Sequence, residues 1–144
     1  LHDSFKPLFD ARAISVCHPD LATSGGILET KRIGDLAQEY GISMALHMAG
    51  TPVSTMAAVH CAAATENFIG LEHHFADVPF WSDLVTGVPT PLIQNGYIAV
   101  PDAPGLGIEL NEAVIREHIV PDDPGYFEPT PEWDAERSWD RLWS

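Results

Sequence analysis

The sequence predicts an α/β fold built on a parallel sheet. Three observations carry the prediction. Helical and strand-like periods alternate along the first half of the chain in the order helix, strand, helix, strand, helix, strand. The connections between them are short, which requires right-handed βα crossovers and parallel strands. Each strand-like run also ends on or just before an ionisable residue, namely Asp20, His47 and Glu72.

The elements follow in order. "DSFKPLFDARA" is a short amphipathic piece, helical around Pro7. "ISVCHPD" reads as a strand from Ile14 to His18, stopped by Pro19. From Ile27 to Tyr40, the residues Ile33, Leu36, Ala37 and Tyr40 recur at helical spacing, and Gly41 fits the position just past the helix end. "ISMALH" is the second strand, with Ile42, Met44 and Leu46 on a bulky face and Ser43, Ala45 and His47 on a small one. The bulky face suits packing under helices, and the small face suits a barrel interior or a crevice. Thr51 fits an N-cap and Pro52 a first helical residue. The following helix is expected to place Val53, Met56, Ala57, His60 and Ala64 on one side. "FIGLE" is the third strand, Phe68 to Glu72. Beyond it, "PLIQNGYIAV" reads as a hairpin around Asn95-Gly96, and Asn111 as the cap of a helix from Glu112 to Ile119. The tail from Pro121 holds three Trp, four Pro, seven acidic and two basic residues, and reads as an extended arm that packs on something.

Composition narrows the function. The 144 residues, 45% hydrophobic, suffice for one domain with a core. Seven basic against 21 acidic residues give a formal charge of −14, which argues against nucleic acid or an anionic membrane as a partner. No apolar run has the length of a membrane span, and no basic, apolar presequence opens the chain. The start at Leu1 fits processing, trimming or an excerpt of a longer protein. Cys17 and Cys61 form no CxxC pair, so buried free thiols in a reducing, cytoplasmic setting are expected.

In parallel α/β folds the site lies at the carboxyl ends of the strands, so Asp20, His47 and Glu72 would share one mouth. Each also has a plain structural reading. Asp20 after a proline suits a local Asx-turn, His47 a satisfied turn residue, and Glu72 the first solvated residue after a strand. His73 and His74 lack an HxH or HExxH pattern and read better as loop histidines than as metal ligands. His60 reads as a packed helix residue, and His18 could face the same mouth as Asp20. Ser24-Gly25-Gly26 could cradle an anion, although a tight turn explains it equally.

"HPDLATSGGILETKRIGDLAQEYGISMALH" resembles the sixth and seventh βα units of the enolase superfamily, in its mandelate racemase/muconate lactonizing enzyme-like group. "FIGLEHH" resembles the eighth strand, and "IAVPDAPGLGIELNE" the segment that returns to the family's capping domain. The resemblance implies the C-terminal portion of a TIM-type barrel: residues 1–90 as units six to eight, and 91–144 as a returning segment with a Trp-rich acidic tail. It implies that Asp20 and His47 form a catalytic dyad, with Glu72 as a substrate-facing hydrogen-bonding group, ionised or protonated. It further implies Mg²⁺ held by carboxylates upstream, with no metal ligand and no cofactor-binding residue in this chain. The family reaction removes the proton next to a carboxylate to give an enediolate, and dehydration of a sugar acid is the favoured form. Racemisation or epimerisation, cycloisomerisation, and a non-catalytic fragment are the alternatives. The implied partners are a small hydroxy-acid substrate, the remainder of the barrel and further copies in a homo-oligomer. The isolated chain is expected to be inactive. His47 and Glu72 stand 25 residues apart, a longer interval than the plain racemase pattern, which alters the mouth beside His47.

Overall fold

Helices α1 (His2–Asp10), α2 (Gly26–Glu39) and α3 (Pro52–Ala63) alternate with strands β1 (Val16–Cys17), β2 (Ser43–Leu46) and β3 (Phe68–Leu71) in the computed structural model, which describes residues 2–121. A 3₁₀ turn, Trp81–Leu84, leads into the antiparallel pair β4 (Val85–Thr86) and β5 (Glu109–Leu110). Helix α4 (Glu112–Glu117) belongs to a second unit that begins at Glu112. The Trp-rich tail expected from the sequence lies outside the described residues. Among those residues, no helix is long and apolar enough to cross a membrane.

The three strands form one parallel sheet in the order β1-β2-β3. Val16 pairs with Ser43 and Cys17 with Met44. On the other side Met44 pairs with Phe68 and Leu46 with Leu71, with a register shift between Met44 and Ala45 that leaves an extra residue on β3. The expected faces of β2 hold. Met44 and Leu46 are fully buried among Ile33 and Ala37 of α2 and Ala58 of α3, while Ser43 and Ala45 stay half-exposed. Each buried side chain of this size contributes ~1.5–3 kcal/mol of transfer free energy. The helices cover one face of the sheet, and the arrangement is a partial (β/α) barrel of TIM type.

The helix ends follow local chemistry. Gly41 has φ 71, its N–H donates to Gln38 O, and the Ile42 N–H donates to Ala37 O. This is a Schellman closure, and Ile42 and Ala37 share the apolar core beside it. Thr51 and Pro52 do open α3, but the Thr51 hydroxyl makes no capping hydrogen bond. Helix α2 sits close on the sheet because Gly34 has no Cβ; one built there would meet Thr65 Cγ2 at 2.6 Å and Met44 Sδ at 3.1 Å.

Four expectations need correction. The buried residues of α3 are Pro52, Thr55, Met56, Ala58, Val59 and Cys61, so of the expected side Val53, Met56, Ala57, His60 and Ala64 only Met56 is buried. The helix is apolar nearly all round, so periodicity could not choose a face. The first strand is shorter than Ile14–His18, because only Val16 and Cys17 pair continuously before Pro19 interrupts. The Asn95-Gly96 turn forms, with φ 52 and 81, yet only Gln94 and Tyr97 pair across it. Tyr97 is exposed and Pro91 offers no N–H, so no ladder extends from the turn. Helix α4 stops at Glu117 rather than Ile119, where the His118 N–H turns back to Ile115 O.

Candidate active site at the carboxyl ends of the parallel strands

Pairing continues past the strands and sets the site. Asp20 and His47 form a parallel bridge, with the His47 N–H donating to Pro19 O at 3.1 Å. The Glu72 N–H donates to Leu46 O at 2.9 Å. These two bonds bring Asp20, His47 and Glu72 level at one edge of the sheet. The period of two then turns His47 to the side opposite Leu46, away from the helices.

Asp20 serves two structures at once. Its Oδ1 accepts the N–H groups of Ala22 at 2.8 Å and Thr23 at 3.1 Å, an Asx-turn, while its Oδ2 lies 2.6 Å from His47 Nδ1. The turn and the contact with His47 therefore coexist, on different oxygens. Burial raises the Asp20 carboxyl, but the bonds from His47, Thr23 and Ala22 outweigh it and hold the group below its ordinary value. An ionised Asp20 can only accept, so His47 Nδ1 carries the hydrogen and Nε2 is left as the free nitrogen.

His47 Nε2 faces Glu72, with Oε2 3.8 Å away. The His74 Nε2–H donates to Glu72 Oε1 at 2.6 Å, and His18 Nε2 lies 3.4 Å from Glu72 Oε2. The His74 hydrogen bond, with further attraction from His74, His18 and His47, lowers the Glu72 pKa against the opposing effect of burial. Glu72 is thus the ionised form of the two considered from sequence. Its Oε2 is inaccessible to solvent and accepts no hydrogen bond among the described residues.

His74 lies in the exposed loop after β3, as the sequence suggests, and there it meets Glu72 and His47 in a grouping that the sequence did not foresee. One ligand atom each from His47, Glu72 and His74 lies within 4.8 Å of the others, an arrangement consistent with a divalent metal site. The signal was the Glu-x-His spacing after β3. Two residues apart, Glu72 and His74 meet through His74 Nε2 and Glu72 Oε1, 2.6 Å apart. His18 lies beside this group without being part of it, its ring edge-on to His47 at 5.7 Å.

The remaining candidates lie apart from it. His60 Nε2 sits 3.3 Å from Leu106 O, and the His73 ring packs against Trp81 at 4.7 Å. The Ser24 hydroxyl is buried and paired with Thr30 Oγ1 at 2.8 Å, which fits a turn rather than an anion cradle. Trp81 is buried and donates from Nε1 to Gly50 O at 2.9 Å. It ties down the loop that follows His47. Cys17 and Cys61 are buried free thiols, and burial pushes Cys17 up to about 11.

A family model described as "Enolase C-terminal domain-like" matches residues 2–114. Among curated proteins, the chain is 39% identical over 115 residues to D-xylonate dehydratase of Haloferax volcanii, a match covering 80% of this chain and 27% of that protein. It is 30% identical over 119 residues to D-galactonate dehydratase of Ralstonia pickettii, covering 78% and 31%. Among solved structures, a mandelate racemase/muconate lactonizing enzyme-like protein from Rubrobacter xylanophilus superposes with TM-score 0.80 at 42% identity, over 85% of this chain and 31% of that one. The chain therefore spans less than a third of the length of these relatives. The dyad geometry, the three-stranded parallel sheet and these matches agree, and the chain belongs to the enolase superfamily, in the C-terminal domain of its mandelate racemase/muconate lactonizing enzyme-like group.

Proposed function

We propose that this chain supplies the proton-transfer side of a Mg²⁺-dependent enzyme that dehydrates a sugar acid. The observation that carries the reading is the 2.6 Å contact between Asp20 Oδ2 and His47 Nδ1, which leaves Nε2 free beside Glu72 at the carboxyl edge of the sheet. Similarity to dehydratases of D-xylonate and D-galactonate favours an aldonic acid as substrate. The partner set is that small hydroxy acid, the remainder of the barrel and further copies in a homo-oligomer. Buried free cysteines fit a cytoplasmic setting.

In this reading His47 Nε2 exchanges a proton with the substrate, either taking it from the carbon beside the carboxylate or giving one to the departing hydroxyl. A proton leaves C2 and hydroxide leaves C3 as water. The resulting enol takes up a proton at C3 and releases the one on its C2 oxygen, becoming a 2-keto-3-deoxy acid, so atoms and charge balance. Asp20 is a positioning residue that fixes the ring and its Nδ1 hydrogen and supports the imidazolium that forms. Glu72, ionised, accepts a hydrogen bond from a substrate hydroxyl. Mg²⁺ supplies charge stabilisation at the substrate carboxylate when bound. Two imidazoles and one carboxylate do not make the oxygen set that Mg²⁺ prefers, so its ligands are assigned to residues outside this chain.

A second reading has one observation in its favour. D-galactarolactone cycloisomerase of Agrobacterium fabrum is 33% identical over 120 residues. Incubating the full-length protein and Mg²⁺ with a panel of pentonates, hexonates and aldarates separates the two. Formation of a 2-keto acid from an open-chain member supports dehydration; conversion of an aldarolactone added to the panel, with no 2-keto acid from any open-chain member, overturns it.

A further inference from the structure

We infer that Trp81 is a positioning residue, whose indole joins the loops that follow His47 and Glu72 and so fixes the gap between His47 Nε2 and Glu72 Oε2. That gap is 3.8 Å, too long for a hydrogen bond to hold it. Asp20 orients the His47 ring through Nδ1, and the short hydrogen bond of Glu72 goes to His74. The last backbone bond between the two segments runs from the Glu72 N–H to Leu46 O at 2.9 Å. Among the described residues, no backbone hydrogen bond joins 48–51 to 73–78. Side chains have to make the span.

Trp81 makes it. Its Nε1–H donates to Gly50 O at 2.9 Å. Met48, the residue after His47, is buried in the same apolar cluster as the indole. On the other loop the His73 ring, next to Glu72, meets the indole edge-on at 4.7 Å, and the Phe75 ring lies parallel to it at 6.4 Å. One buried, rigid ring thus holds both segments, by a hydrogen bond on one side and ring contacts on the other. An indole suits the task because it joins a large apolar body to a single donor. Misplacing a reacting group by ~1 Å costs about 10²-fold in rate, so a residue that acts only through these loops can govern the chemical step.

The inference rests on the proton-transfer reading of His47, and the test separates the two. It uses the full-length protein with Mg²⁺. Trp81→Phe keeps an aromatic ring against His73 and Phe75 but loses the bond to Gly50, and Trp81→Leu loses both. With D-xylonate or D-galactonate, α-proton exchange should lose ~10-fold in kcat in Trp81→Phe and ~10²-fold in Trp81→Leu, with KM nearly unchanged. Amide hydrogen exchange, read without substrate, should quicken ~10-fold or more across 48–51 in Trp81→Phe, and across 48–51 and 73–78 together in Trp81→Leu. Met44→Ala, a truncation in the other apolar cluster, controls for lost stability and should keep kcat per folded molecule near the parent value. If His47→Asn slows α-proton exchange while both Trp81 variants keep the parent kcat, the inference is overturned and the proton-transfer reading stands. If His47→Asn keeps the parent rate, or neither acid exchanges, that reading falls and the amide measurement decides on Trp81. Segments that open no more in Trp81→Leu than in Met44→Ala overturn the inference on their own.

Discussion

Strand β2 has two faces with opposite fates. One carries Met44 and Leu46, both fully buried beneath α2 and α3. The other carries Ser43, Ala45 and, one residue past the strand, His47, all half-exposed. The apolar face holds the sheet to its helices. The small face leaves room beside the sheet and presents an imidazole at its end. Stability and chemistry are thereby assigned to alternate residues of a single short segment, so a substitution on one face should leave the other's property almost untouched.

The largest expected effect falls on the chemical face. Replacing His47 with Asn in the full-length protein should slow exchange of the substrate's α-proton by ~10²–10⁴-fold, the usual worth of a positioned acid-base group. The unfolding midpoint should hardly move, because the His47 side chain is partly solvated. Proton exchange in deuterated buffer and a denaturant titration measure the two halves. Undiminished exchange would remove His47 from the reaction.

On the apolar face the sign reverses. Met44→Ala should cost ~2–5 kcal/mol of stability through lost burial and a residual cavity. Exchange per folded molecule should stay near the parent rate. A loss of exchange as large as that in His47→Asn would show that the two faces are coupled through the strand.

Gly34→Ala tests the same face from the helix side. The new methyl meets Thr65 Cγ2 at 2.6 Å and Met44 Sδ at 3.1 Å, so α2 or those side chains must shift. Overpacking costs about 1–3 kcal/mol, set against the ~1 kcal/mol that alanine gains over glycine inside a helix. The net expectation is destabilisation, smaller than for Met44→Ala. Thermal unfolding of the two variants side by side ranks them, and a stabilised Gly34→Ala would mean that the close approach is not tight.

The sequence disclosed the two faces of β2 because period-two alternation is a local property, and it disclosed the level of Asp20, His47 and Glu72 because βα order fixes which strand ends share a side. Other features depend on partners that a local pattern does not encode. Helix α3 is apolar nearly all round, and only the neighbours it packs against choose its buried side. Strands β4 and β5 pair two residues each across more than twenty positions, with Thr86, Glu109 and Leu110 exposed, so no alternation marks them. His74 looked like half of a histidine doublet. The chain beyond β3 brings it against Glu72 while the His73 ring packs on Trp81, contacts that spacing alone does not encode.

The smallest effect lies beside the small face, at Asp20, which both closes its own turn and holds His47. Its carboxyl is lowered in the folded chain, by bonds that prevail over burial. A lowered acid contributes stability that is complete above its unfolded value, near 3.9, and is lost as pH falls through the folded value. The stability gap between the parent and Asp20→Asn should therefore be flat from neutrality down to about pH 4 and close below it. Glu72, lowered by His74, titrates in both proteins and cancels from the difference. Asparagine still offers an oxygen to the Ala22 and Thr23 N–H groups, so the gap reports the charged contact with His47 more than the turn. Denaturant midpoints for the pair across an acid series measure it. A gap that stays constant through the acid range would mean that Asp20 is not held ionised by His47, and the fixed tautomer on which the free Nε2 depends would lose its support.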